Sequence, residues 1–377
     1  MNIDFHYYAT YCAAYIAGWS HEEALEICYA AQMVDCCTAS FLAKLKAPRT
    51  AATTQSQMEL ADARTDLIGL QDITRIWASF HFLPYDLYAT TPDRRSKIYM
   101  SKYRLICGPD GDLSADTVKL AKDKSLQHIG LAMHIIADTW AHRYFAGTPS
   151  LVINNTNSHF YEMPGDIRIE FRHSTSAPDD LDGHIYSNSI YLMNENSIMN
   201  LGHGRAGHLP DYSFIRYRYL PAWDDYREIV KDNPTDHYNA FCQMVYALKY
   251  YRDVYDDYIK GSFDYDAVLP YREQIRAILE KRQPDASEDW RAFGRILSGT
   301  DIPDFDVDRY CDKYIEAPKG KKEYTVLGRF FTAAIEQKSM VTNRIFRSGN
   351  MLAGFSIEVK SPASQLQELI RQVGESK

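Results

Sequence analysis

The sequence lacks the features that would direct a protein into a membrane or through a secretory pathway. No apolar run approaches the roughly 18–20 residues that a membrane-spanning helix needs. The first residues contain neither a basic segment nor an uninterrupted apolar segment, so no secretory signal is visible. We therefore predict a cytoplasmic protein, and the alternative is export by a route that uses no such signal.

Cysteines are few and follow no recognisable pattern. Their number, seven, is odd, and no two of them stand in C-x-x-C spacing. A disulfide framework is therefore not expected, and a reducing compartment is the simpler interpretation. The chain also has no Walker-type glycine motif, no nucleophile elbow and no His-Asp dipeptide. These absences disfavour P-loop nucleotide sites, serine-hydrolase sites and one large class of helical metal phosphohydrolases.

An excess of positive charge is also missing. The 42 Lys and Arg residues are outnumbered by 50 Asp and Glu residues, which gives a formal net charge of −8. Proteins that bind nucleic acid usually present a basic surface, so the charge disfavours a polynucleotide partner. That argument is limited, because bound cations would reverse the sign of the charge locally.

Aromatic residues and helical patterns are abundant, and they predict an all-α, multi-helix fold. With 28 Tyr residues the protein can bury apolar rings around polar cavities. Ser20 and Glu23 form a capping box that begins a helix running toward Asp35. The strongest helical run covers residues 115–146. Further helical patterns occupy residues 57–79, 223–260, 270–282, 322–347 and 361–375.

Residues 148–200 differ in character from this helical background. They are rich in Asn, Ser and Pro, and short alternating runs at 167–173 and 184–192 suggest a partly irregular insertion with a hairpin. An insertion of this length in a helical protein often forms a lid or a substrate wall. We expect a helical metal-binding domain over residues 1–260, which includes the insertion. Residues 261–377 would form a helical extension, either separate or part of the same domain.

The candidate site centres on His134, Asp138 and His142. Because a helix turns by about 100° per residue, positions four and eight residues apart lie on one face. The neighbouring residues are apolar nearly all round, which predicts a buried helix. A buried carboxylate between two imidazoles needs a partner, and a cation would satisfy all three groups. The alternative is a hydrogen-bonded polar stripe without metal.

Other segments supply the additional carboxylates and imidazoles that a multinuclear metal site requires. These residues stand among apolar or aromatic neighbours, or beside glycines that let the backbone approach a ligand closely. The candidates are Asp4, His6, Asp35, His81, His203, His208 and Asp211.

The order and spacing of these residues resemble the zinc-dependent phospholipase C and single-strand-specific zinc nuclease superfamily. That superfamily has an all-helical fold and a three-metal phosphoesterase site. Its central helix carries a His-x-x-x-Asp pair followed by another His, which His134, Asp138 and His142 match. An earlier Asp and a later His complete one of its metal sites, and Asp35 and His81 resemble this pair.

The resemblance also implies ligands near the N-terminus and downstream of the central helix. His6 fits the N-terminal histidine of the superfamily, and His203 or His208 with Asp211 would fit the downstream pair. The third metal of the superfamily uses the amine of an N-terminal Trp, for which Asp4 would substitute here unless that metal is absent. The opening segment Asp-Phe-His-Tyr is similar to that of an uncharacterised bacterial family.

The function implied by this resemblance is hydrolysis of a phosphoester at two or three Zn²⁺ ions. Asp138 would bridge the metals, and Asp35 would be the second carboxylate of the catalytic centre. We expect a small phosphoester or a phospholipid as the substrate. The alternative, from a different class, is a non-catalytic helical protein whose metal ions only stabilise the scaffold.

Overall fold

The fold was analysed in a computed structural model that describes residues 1–63, 67–172, 178–188 and 200–350. The chain is mostly helical, as predicted. No helix among the described residues is both long and apolar enough to span a membrane. The helical pattern predicted at 361–375 lies outside the described residues, so it stays a prediction.

The N-terminal part of the chain is helical and carries several of the candidate site residues. A π-helical segment, Asp4–Ala9, leads directly into the first α-helix. The predicted capping box is confirmed, because Ser20 and Glu23 exchange hydrogen bonds at the start of α2. The α-helices of this part are α1 (Thr10–Ile16), α2 (His21–Met33), α3 (Ala39–Leu45), α4 (Gln57–Ala63), α5 (Leu67–Phe80) and α6 (Lys97–Tyr103).

The predicted run at 115–146 forms two helices. The first is α7 (Asp112–Ala121), and the second is the central helix α8 (Leu126–Ala141). The polar residues between them interrupt the helix, because Lys122 is extended and Asp123 has a φ of +59°. Helix α8 packs against α2, α7 and helices from the C-terminal half. Its residues from Gln127 to Ala141 are all buried, so the predicted burial of this helix is confirmed.

The insertion and the segment after it contribute strands, so the fold is not purely α-helical. A short helix, α9 (Leu151–Asn154), precedes them. The strands are β1 (Tyr161–Met163), β2 (Ile167–Arg168), β3 (Glu170–Arg172), β4 (Ile185–Ser187), β5 (Arg216–Tyr219) and β6 (Ile229–Asp232). One sheet has the order β2-β1-β5-β6 and is antiparallel throughout, while β3 and β4 form a parallel pair.

The structure corrects the start of the helix predicted at 223–260. Residues 229–232 form strand β6 instead, and the helix begins only at Asn233, where the Asp232 side chain caps it. Residues 229–232 form a strand because they pair with β5, whose Tyr217 and Tyr219 are buried in the core. A strand partner ten to sixteen residues earlier in the chain overrides the local helical pattern.

The remaining helices complete the bundle around α8. They are α10 (Asn233–Tyr251), α11 (Tyr265–Val268), α12 (Arg272–Glu280), α13 (Ser287–Ser298), α14 (Cys311–Glu316) and α15 (Val326–Arg347). Residues after 260 share one hydrophobic core with the N-terminal helices. For example, Trp290 of α13 lies edge-on to Phe5, with ring centroids 6.2 Å apart.

Candidate metal centre

Helix α8 places two of the predicted ligands at the centre of the protein. His134 has no exposed surface, and only 1% of Asp138 is accessible to solvent. They lie one turn apart, and His142 follows where the helix ends. Because the surrounding side chains are apolar, these polar groups need partners within the protein or a bound ion.

The carboxylate of Asp138 faces imidazoles on both of its sides. Its Oδ1 atom lies 3.2 Å from Nε2 of His6. Its Oδ2 atom lies 3.1 Å from Nε2 of His134 and 3.2 Å from Nδ1 of His81. A carboxylate whose two oxygens face different nitrogen atoms is arranged as a bridging ligand would be.

Among the residues that the structure describes, three groups of side chains have ligand atoms that lie within 4.8 Å of one another and could hold a metal ion. The groups are His6 with His134 and Asp138, Asp35 with His81 and His134, and His142 with His203 and Asp211. His134 belongs to two of them. The structure therefore brings together eight of the ten side chains that the sequence predicted as ligands.

Backbone carbonyl groups orient three of these imidazoles. Nε2 of His81 lies 3.0 Å from the carbonyl oxygen of Thr53, and Nδ1 of His142 lies 2.7 Å from that of His81. Nδ1 of His203 lies 2.7 Å from the carbonyl oxygen of Gly207. Each of these nitrogens can donate its proton to a carbonyl, which leaves the other ring nitrogen facing a carboxylate. Metal-ligating histidines are usually held in this way.

His6 provides a test of whether these residues fit a metal ion. Its ring is buried and stacks on His134, with centroids 3.8 Å apart. Within the described part of the chain neither ring nitrogen forms a hydrogen bond, and Nε2 faces Asp138 without hydrogen-bond geometry. A buried polar atom with no partner is costly, so a cation at this position would stabilise the imidazole. The donor set therefore fits a divalent metal.

The electrostatics of the cluster keep its ligands in the forms that bind metal. Burial opposes ionisation of Asp138, but electrostatic interactions with His142 and with the Met1 ammonium group hold its pKa well below the usual range. Burial also raises the pKa of Asp211, but interactions with His203, the Met1 ammonium group and His142 outweigh this effect and hold the pKa well below its usual range. Burial lowers the pKa of His6 and of His203 to about 4. At neutral pH these groups are carboxylates and neutral imidazoles, as coordination requires.

The α-amino group of Met1 lies inside the cluster, at the place where the sequence predicted Asp4 as a substitute for an N-terminal amine. It donates to Oδ1 of Asp138 at 2.7 Å, and it lies 3.2 Å from Asp211 and 3.3 Å from His142. Burial lowers its pKa, but the neighbouring carboxylates overcome this effect and raise the value to about 11. The amine is therefore a protonated cation at a point where anionic and imidazole ligands converge.

Two of the predicted ligands lie outside these three groups. The Asp4 carboxylate accepts hydrogen bonds from the backbone N–H groups of Phe5 and Ala286, so it ties the first turn to the segment before α13. The side chain of His208 is 59% exposed, and its Nδ1 atom lies 3.8 Å from Asp211. Of the two histidines proposed beside Asp211, His203 is the one that the structure places in a ligand group.

Solvent reaches the cluster mainly at Asp35, whose side chain is 32% exposed. His81 and His134 are almost completely buried, so Asp35 stands at the edge of its ligand group. The orienting carbonyl oxygens of Thr53 and Gly207 belong to the backbone, so the residue types at these positions do not indicate their role. Sequence reasoning could not have found them, although the glycines around His203 did indicate a close backbone approach.

Comparison with known proteins gives a family but no activity. No curated protein and no solved structure matches the chain. The profile of DUF6765, a family of unknown function, matches residues 1–345. Since this match covers most of the chain, the protein belongs to the DUF6765 family.

Proposed function

We propose that this protein is a zinc-dependent phosphoesterase with a multinuclear site and a phospholipase C-like helical fold. The observation that supports the proposal most strongly is the position of Asp138 between three imidazoles from separate segments. Three ligand groups adjoin one another there, and one of them reaches solvent through Asp35. Structural metal sites are usually closed by protein ligands, whereas catalytic sites keep a position open to water.

The distances and donor types are compatible with zinc. Bonds of about 2.0–2.1 Å in a tetrahedral arrangement separate ligand atoms by roughly 3.3 Å. Oδ2 of Asp138 lies 3.1 Å from the His134 nitrogen and 3.2 Å from the His81 nitrogen. Imidazole suits zinc, copper, iron and nickel, and the added carboxylates are ligands that zinc also accepts. When bound, the ions would supply an activated water and neutralise charge on a phosphoryl group.

The residues of this chain would hold and orient the reacting groups. Asp138 and His134 would remain fixed, because α8 is buried on all sides. Asp35 would be the carboxylate nearest to an entering substrate, since it is the most exposed member of the two groups that share His134. The net charge of −8 favours small phosphoesters or phospholipids over polynucleotides.

A non-catalytic protein with structural metal ions is the second candidate. It is favoured by the nearly complete burial of His6, His134 and Asp138, which would hold an ion away from any substrate. The two candidates make the same prediction for metal content. They differ in whether a phosphodiester is hydrolysed.

Hydrolysis of bis(4-nitrophenyl) phosphate by the zinc-loaded protein tests the proposal. We expect turnover above the rate of free zinc, and we expect Asp138→Asn to reduce it at least about a hundredfold, because even residues that only support metal ligands cost ten- to a hundredfold. Asp266→Asn is the matched control, since this exposed carboxylate lies on α11. A folded Asp138→Asn protein that keeps full activity would refute the catalytic assignment. Metal binding without any turnover would favour the structural alternative.

A further inference from the structure

A cavity lies beyond the C-terminal end of α8, and none of the candidate metal ligands lines it. Its volume is about 350 Å³, which is within the range of small-molecule sites. Arg143 and Tyr144, the two residues that follow His142, form part of its wall. The other aromatic residues of the wall are Tyr85, Tyr103 and Trp223.

The aromatic wall is held in a fixed arrangement. The rings of Tyr144 and Trp223 stack with centroids 5.9 Å apart, and the Trp223 indole N–H donates to the Tyr144 carbonyl at 2.9 Å. Tyr103 lies edge-on to Trp223 at 6.2 Å. The Tyr144 N–H donates to the carbonyl of Cys107 at 3.0 Å. These contacts fix the shape of the cavity before any ligand enters.

Two residues that line the cavity have backbone in the left-handed region. Tyr144 has a φ of +81° and Asp110 a φ of +62°. Asp tolerates this conformation, but for a bulky side chain such as Tyr it is a genuine outlier. Strain of this kind persists only where the surroundings enforce it, and it concentrates at ligand sites. The strained Tyr144 is therefore an observation that is independent of the cavity volume.

The charges that line the cavity are not balanced. Asp110 is half-buried, and burial raises the pKa of its carboxyl. It accepts a hydrogen bond from the Gln243 side chain but, within the part of the chain that the structure describes, forms no ion pair. The Arg143 guanidinium is already engaged, because it donates to Asp236 at 2.9 Å and lies over the Tyr144 ring at 4.6 Å. Asp86 adds a second carboxylate at the exposed side.

We propose that this cavity binds a small organic cation, such as a methylated ammonium group. A cation would contact the rings of Tyr85, Tyr103 and Trp223, which attract positive charge through their π-faces. It would also place a positive charge next to the Asp110 carboxylate, on which the more distant charges of Lys260 and Arg143 already act favourably. A neutral ligand of the same shape would gain only the apolar contacts. The proposal does not depend on the activity of the metal centre, since the two sites share no residue.

Isothermal titration of the full chain with tetramethylammonium tests the proposal. Its uncharged counterpart is tert-butyl alcohol, which has a similar shape. We expect saturable binding of the cation at least about fivefold tighter than that of the alcohol. Saturation-transfer NMR should show the methyl protons in contact with aromatic protons. Equal affinity for both compounds, or no saturable binding of the cation, would overturn the proposal.

Two variants examine the wall itself. Asp110→Asn keeps the acceptor for Gln243 but removes the charge, and we expect it to weaken cation binding about fivefold. Tyr85→Ala removes a ring that is 52% exposed at the rim, so the fold should tolerate it, and we expect about threefold weaker binding. The control is Asp72→Asn, which removes an equal charge from an exposed carboxylate that is paired with Arg75 and does not line the cavity. If Asp72→Asn weakens cation binding as much as Asp110→Asn does, the net charge of the protein explains the effect and the assigned site is wrong.

Discussion

The Nε2 atom of His134 lies 3.1 Å from Oδ2 of Asp138, one turn further along the same buried helix. Because the helix fixes this spacing, the pair does not depend on loops for its geometry. The ligands from other segments, such as His203, are held instead by hydrogen bonds to backbone carbonyl groups. The ligand groups should therefore respond differently to changes in the backbone.

Replacing Gly207 should release one metal ion selectively. The carbonyl of Gly207 accepts the hydrogen bond from His203. Gly207 has a φ of +57°, which favours glycine. A Cβ there would lie 2.0 Å from the carbonyl oxygen of Ser187, so the loop must move. We expect Gly207→Ala to lose about one equivalent of metal and to keep the ions near His134, as measured by elemental analysis after dialysis.

Gly320→Ala is the control for this change. Gly320 has open space around the position of a Cβ and lies far along the chain from every proposed ligand. Its metal content should equal that of the unaltered protein. Loss of all the metal from Gly207→Ala would mean that the ligand groups are not separable as the structure suggests.

Gly130→Ala should destabilise the protein by about 1–2 kcal/mol. Gly130 is the point where α8 approaches α2, and a Cβ would lie 2.2 Å from the carbonyl oxygen of Ile27. In a helix Ala is normally more favourable than Gly by up to about 1 kcal/mol. A loss of stability would therefore show that the added Cβ clashes with α2. Urea unfolding of the metal-free protein measures it. Equal or greater stability than the unaltered protein would show that α2 and α8 can separate without cost.

Lys338 should make the stability depend on pH in the alkaline range. Burial lowers the pKa of its ammonium group to about 8, from 10.5 in the unfolded chain. Between these values the unfolded chain binds the proton and the folded protein does not, so stability rises with pH. Because the side chain is only partly shielded, we expect a gain on the order of 1–2 kcal/mol relative to Lys338→Met.

The measurement is the difference in unfolding free energy between the unaltered protein and Lys338→Met, taken from about pH 7.5 to 10.5. Lys321→Met is the control, since this lysine is exposed and lies near the same helix. The difference in unfolding free energy between the unaltered protein and Lys321→Met should stay constant over this pH range. Two results would contradict the assignment. In the first, the unaltered protein gains no stability over Lys338→Met as the pH rises, and in the second it becomes less stable relative to Lys338→Met.

The sequence predicted the parts of the site that depend on helical spacing. His134 and Asp138 stand four residues apart in an apolar run, and this pattern is visible without a structure because it reflects one helix face. From residue patterns alone His6, Asp35 and His81 could be predicted only as separate candidates, and it was the family resemblance that grouped Asp35 with His81. Their convergence depends on the packing of α2 and α8 and of the π-helical segment, which is long-range information.

Other features could not be predicted for reasons that are physical. The first turn contains both Asp4 and the Met1 amine, and only tertiary packing decides that the amine faces Asp138 while Asp4 faces Ala286. The β5–β6 pair joins residues whose local pattern is ambiguous between strand and helix. In both cases the choice is made by partners that lie elsewhere in the chain.

The central claim is that Asp138 and the surrounding imidazoles hold divalent metal ions, and metal content tests it most directly. Elemental analysis of the protein, purified without chelator and dialysed against metal-free buffer, should find about two or three equivalents, mainly zinc. Asp138→Asn should lower this number by at least about one equivalent, because its carboxylate faces two ligand groups. Less than about one equivalent of any divalent metal in the folded, unaltered protein would contradict the account.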